Sequence, residues 1–221
     1  MLTRQLTLVF AGGLLVLPIA ESAAPPAVHV TARLYNTARV AGVVKEAALR
    51  AATRALSAGG IHLRWKDCDL ADSCATVPAR GELVVRLVRL PGQIVPPRDP
   101  IVARRDQIVA RTRRSLGEGG AGPRALVLGE ALIDMRERTG VLATVFVDRV
   151  ELIAGLSETD ATLLLGRAIA HEIGHLLLGT NAHSVRGLMR TEWTPADVRR
   201  HASADWALTD EEAAAIRRRL Q

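Results

Sequence analysis

Residues 171–175 read His-Glu-Ile-Gly-His, set inside a run that is otherwise almost wholly apolar. The apolar spacing predicts a long helix over residues 158–178. Ser157 and Asp160, three positions apart, read as a capping box at its start, and Gly179 stands where a glycine ends a helix. Residues four apart on a helix project from one face, about one turn apart. His171 and His175 therefore point the same way, with Glu172 beside them. Two imidazoles and a carboxylate on an apolar helix need partners if they are buried. A metal ion supplies partners for all three. The competing explanation is a buried helix that merely happens to carry them.

The spacing suits a zinc ion gripped by both imidazoles, with the carboxylate reaching a water on the metal. Zinc brings the pKa of such a water towards neutrality. Glu172 is then placed to take its proton and pass it to a leaving amine. A catalytic zinc normally has three protein ligands and an open position. His183 is the leading third ligand, because Gly179 can turn the chain and residues 180–182 can carry His183 back under the helix. Glu192, Asp197 and His201 are the alternatives further downstream.

The stretch HEIGHLLLGTNAHS with the following Gly-Leu-Met, residues 171–189, resembles the metzincin metallopeptidases, and the matrixins most closely. The resemblance implies zinc as cofactor, His171, His175 and His183 as its ligands and Glu172 as general base. It also implies that Gly179 makes the turn and that Met189 supports the site from below. Ser184, directly after the third His, is matrixin-like too. The implied fold is α+β and zincin-like. It has a twisted mixed sheet of about five strands packed on two long helices, the active-site helix leading into a small C-terminal helical subdomain. Leu128–Ala131 and a strand ending at Asp148 fall where the family has its edge strand and the next one. The chain departs from the family at the turn: its Gly and His stand four and eight residues after His175, where the family has three and six. No segment resembles the family's zinc-blocking propeptide.

Elsewhere, Val28, Val30, Ala32 and Leu34 alternate with His29, Thr31, Arg33 and Tyr35, the period of a half-buried strand. Residues 39–58 read as a helix stopped by Gly59-Gly60. Ile61–Trp65, Leu83–Leu90, Ala125–Leu128 and Val141–Val150 read as further strands. The opening thus resembles a βαβ unit with another strand beside it. Pro91, Pro96, Pro97 and Pro100 mark a loop, residues 101–115 read as a short helix, and the Arg-rich 98–114 segment reads as part of a solvated surface insertion, with a basic lid or substrate arm as the alternative. Thr209 and Glu212 form a second capping box before a last helix. Arg217, Arg218 and Arg219 in its final turn complement the helix dipole.

Hydrophobic residues at 48% and charged residues at 24% exclude a disordered chain, a collagen and a disulfide-dense miniprotein. Aromatics are only 3%, so the core must rest on Ala, Val, Leu and Ile. Residues 1–23 read as a signal peptide: Arg4, an apolar stretch from Leu6 to Ala20, then small residues. That stretch falls short of the ~20 apolar residues of a membrane span, although an uncleaved anchor is the alternative. The expectation is a single domain over 24–221, secreted or periplasmic, with no stable membrane insertion once the leader is cut. Cys68 and Cys74 then read as a disulfide closing a small loop. A metal pair is the alternative, but five intervening residues do not match the usual zinc spacing. The formal charge of +6 allows an acidic partner, yet without interleaved aromatics nucleic-acid stacking is not expected. The leading function is a monomeric, exported zinc endopeptidase acting on a protein or peptide substrate. The alternatives are a non-catalytic zinc module that holds a partner or wall component, and a hydrolase of non-peptide amides.

Overall fold

The computed structural model describes residues 27–69, 74–79, 81–90, 127–191, 193–200 and 202–220. The expected leader, the Arg-rich 98–114 segment, Glu192 and His201 lie outside them. The described chain is α+β. Five strands form one mixed sheet: β1 (Val28–Asn36), β2 (Ile61–Asp67), β3 (Leu83–Val88), β4 (Gly129–Asp134) and β5 (Thr139–Phe146), in the order β2-β1-β3-β5-β4. β1, β2, β3 and β5 run parallel, and β4 closes one edge antiparallel to β5. The helices are α1 (Gly42–Ser57), α2 (Val147–Ser157), α3 (Ala161–Leu178), the single turn α4 (Pro195–Val198) and α5 (Asp210–Leu220). A 3-10 turn at Ser203–Trp206 precedes α5.

The period of two in β1 has the expected result. Val30, Ala32 and Leu34 are buried on one face, in line with Leu83, Val85 and Leu87 of β3 and Ala143 and Val145 of β5. The long helices α1 and α3 cover that face, so the core is built from small and branched aliphatics. Their crossing is close because residue 166 is glycine. A Cβ there would lie 2.5 Å from the Ala48 carbonyl oxygen and 2.6 Å from the Ala51 Cβ. β1-α1-β2 is the expected βαβ unit, and β3 pairs on the other side of β1. Cys68 and Cys74 form a disulfide after β2, with Cα atoms 5.5 Å apart.

Three expectations need correction. The apolar run from Val141 to Val150 is not one strand: β5 ends at Phe146 and α2 begins at Val147. Val147, Val150 and Ala154 are buried at helical spacing, and Asp148 lies in the first turn of α2, where a carboxylate suits the dipole. Second, of the strand expected at Ala125–Leu128, residues 125 and 126 lie outside the described residues, Val127 and Leu128 are not in a strand, and β4 spans Gly129–Asp134. Third, Ser157 does not cap the long helix but ends α2. Asp160 is the cap of α3, its carboxylate accepting from the Thr162 and Leu163 amides at 2.7 and 3.4 Å. By contrast, the C-terminal capping box is present. Thr209 N donates to Glu212 Oε2 at 2.8 Å, and Glu212 N donates to Thr209 Oγ1 at 3.3 Å.

Candidate metal centre

α3 is buried along most of its length, from Leu164 to Leu178. It lies under the sheet with its C-terminal half against β4 and β5. His171, Glu172 and His175 are each less than a tenth exposed. Gly179 ends the helix in the left-handed conformation (φ +61°), its amide donating to the His175 carbonyl at 2.9 Å. Ala182 N then donates to Thr180 Oγ1 at 3.1 Å. The chain doubles back far enough to bring His183 to the other two histidines. Ring centroids of His183 lie 5.3 Å from His171 and 4.7 Å from His175. One nitrogen from each of the three imidazoles lies within 4.8 Å of the others. The longer turn therefore still delivers the third imidazole. Asp197 is committed elsewhere: it accepts from Arg190 at 2.5 Å and from the Thr194 hydroxyl at 2.6 Å.

The donor set suits a cation. Nδ1 of His171 bonds to the Leu188 carbonyl at 2.8 Å, and Nδ1 of His175 to the Thr180 carbonyl at 2.9 Å. A carbonyl only accepts, so each Nδ1 carries the hydrogen, and in a neutral ring Nε2 keeps its lone pair. The two Nε2 atoms face each other at 3.0 Å. Two lone pairs at that distance repel unless a proton or a metal lies between them. Protonation is disfavoured. Burial pulls the His171 pKa down to about 3, and the neighbouring His175 and His183 add to the fall. Burial lowers His175 as well. Imidazole nitrogens sharing one tetrahedral zinc at ~2.0–2.1 Å lie about 3.3 Å apart, near the separation seen. Backbone carbonyls that fix the tautomer of ligand imidazoles are the usual outer support of such a site.

Glu172 is the second electrostatic feature. It makes no hydrogen bond among the described residues, although it is only 6% exposed. Burial pushes its pKa up to about 8, helped by the Glu130 carboxylate on β4. Its side chain fits because the facing residue of the edge strand is Gly129. A Cβ on Gly129 would lie 2.6 Å from Glu172 Cγ and 2.7 Å from Oε1. Met189 is fully buried under α3, against Gly174.

Sequence reading missed the frame around the site. Trp193 stands edge-on to His171 at 5.4 Å and to Trp206 at 4.9 Å. Arg167, four residues before His171, stacks over Trp206 at 3.9 Å and donates to the Val198 and Arg200 carbonyls at 3.0 and 2.7 Å. Burial pulls its pKa down to about 10. A lone arginine on an apolar helix was the available signal, since a buried guanidinium needs carbonyl or carboxylate partners.

No protein-family model, curated protein or solved structure matches the chain. Among the described residues, no helix is long and apolar enough to cross a membrane.

Proposed function

We propose that this chain is a zinc-dependent endopeptidase of the metzincin type, exported and acting on protein or peptide substrates. The observation that carries the reading is Glu172: a carboxylate with no hydrogen bond among the described residues, on the buried helix and next in sequence to one of three convergent imidazoles. A purely structural metal site has no use for a carboxylate there, whose ionised form burial disfavours. His171, His175 and His183 would hold the zinc, which when bound supplies a Lewis acid that polarises the scissile carbonyl and acidifies water. Glu172 accepts the proton of the attacking water at its carboxylate. It then delivers that proton to the nitrogen of the departing amine, which leaves neutral. A cation held at the three imidazoles would lower the Glu172 pKa from its raised value and leave the carboxylate ionised for its role as base. The Leu188 and Thr180 carbonyls hold the two helix imidazoles in the ligating tautomer throughout. The Cys68–Cys74 disulfide supports an oxidising compartment, in keeping with the leader-like residues 1–23.

The test is Glu172→Gln in the zinc-loaded chain. The variant is expected to keep its zinc and to lose peptide hydrolysis by several orders of magnitude. Full activity with zinc in place overturns the mechanism.

A further inference from the structure

His183 differs from the other two imidazoles in what holds it. His171 and His175 sit on a rigid helix, and each Nδ1 is tied to a backbone carbonyl. His183 is exposed, lies on an extended turn, and has no hydrogen bond from its ring to any described residue. Apart from its ring contacts with His171 and His175, its position depends on its backbone neighbours. The next residue, Ser184, is anchored through both its backbone and its side chain. Its amide donates to the Met189 carbonyl at 2.7 Å, which pairs it with Arg190 in a short parallel bridge. Its hydroxyl donates to Glu212 Oε1.

Glu212 is well placed to act as an anchor. Its other oxygen, Oε2, accepts from the Thr209 amide in the capping box. The helix it belongs to is fixed to the body of the fold along its middle and C-terminal half. Ala213 and Ile216 are buried, Arg217 donates to the Gly59 carbonyl at 2.7 Å, and Arg219 donates to the Leu177 carbonyl at 3.0 Å. Leu177 is in the same turn of α3 as His175. A chain of contacts thus runs from the body of the fold through α5 and Glu212 to Ser184, and so to the third imidazole.

We infer that Ser184 and Glu212 are positioning residues that latch His183 into the metal site, making the C-terminal helix part of the centre. This rests on the metal-site reading above. The latch explains why a turn two residues longer than its family counterpart does not leave the third imidazole adrift. A longer turn has more conformations to lose on binding, and the hydroxyl–carboxylate contact removes part of that freedom in advance. Partners bonded directly to a ligand change metal affinity by roughly 10- to 100-fold; Ser184 acts one residue away through the backbone, so a loss at the lower end of that range is expected.

The experiment measures zinc affinity by competition with a chromogenic chelator in the parent, Ser184→Ala and Ser184→Thr chains. The visible spectrum of the cobalt-substituted forms and melting without metal are recorded alongside. Ser184 is half-buried and loses only its hydroxyl in the alanine variant, so the metal-free fold should melt with the parent. The expected result is a zinc affinity at least about tenfold weaker for Ser184→Ala, a cobalt spectrum of altered intensity, and recovery of both in Ser184→Thr. Unchanged zinc affinity in Ser184→Ala, or a loss that threonine does not restore, overturns the latch. A parent chain that binds no zinc removes the metal site itself and the latch with it, a result distinct from either of those.

Discussion

Gly129 offers a way to move the general base without altering its chemistry. Its Cα stands where any side chain would enter the space of Glu172. Ordinary contact begins near 3.4 Å, whereas a Cβ would meet Glu172 Cγ at 2.6 Å and Cδ at 2.8 Å. In Gly129→Ala the glutamate must yield by about 0.8 Å, and a displacement near 1 Å in a positioned catalytic group costs on the order of 10²-fold in rate. That factor corresponds to roughly 2.7 kcal/mol of barrier. The fold should tolerate the change. Overpacking costs about 1–3 kcal/mol, and alanine returns about 0.5–1 kcal/mol over glycine in a strand. The assay follows initial rates on a mixture of internally quenched peptides with zinc-loaded parent and variant, and zinc content is measured on the same samples. The expected outcome is parent-like zinc with activity down about 100-fold. Parent-like activity with zinc retained would show that the position of Glu172 does not matter to the reaction, and would refute its role as base.

Two other glycines should respond in opposite directions. Gly166→Ala forces a methyl against the Ala48 carbonyl at the α1–α3 crossing and should lower stability by about 1–2 kcal/mol in urea unfolding. Gly155→Ala, with nothing within 4 Å of its Cβ position, should raise stability by about 0.5–1 kcal/mol. Asp197 should make stability acid-sensitive. Hydrogen bonds from Thr194 and the charge of Arg190 hold its carboxyl below the ordinary value. Its contribution is therefore complete above the unfolded pKa near ~3.9 and disappears as pH falls through the lower folded value. Urea midpoints taken from pH 6 down to pH 3 should drop less steeply in Asp197→Asn than in the parent.

Local patterns that agree with their surroundings could be read from the sequence. The alternation in β1, the stop at Gly59-Gly60, the turn at Gly179 and the Thr209–Glu212 box all appear where the residue types require them. The three imidazoles come together as their spacing suggested. The failures have physical causes as well. Val147 and Val150 continue an apolar run begun in β5, and a short run of branched residues suits a buried strand and a buried helix equally. Only the burial of Val150 and Ala154 distinguishes them. Ser157 and Asp160 are both good capping residues, and the choice between them depends on α2, which the sequence did not reveal. The Arg167–Trp206–Trp193 frame and the Ser184–Glu212 contact join residues far apart in the chain, and no local period encodes them.

On the proposed reading, His171, His175 and His183 together hold one zinc ion. The direct measurement is elemental analysis of the chain over residues 24–221 after dialysis against metal-free buffer, with His175→Ala beside it. About one zinc per parent chain and almost none in the variant is the expected result. A folded parent chain that takes up no zinc when it is offered back would contradict it.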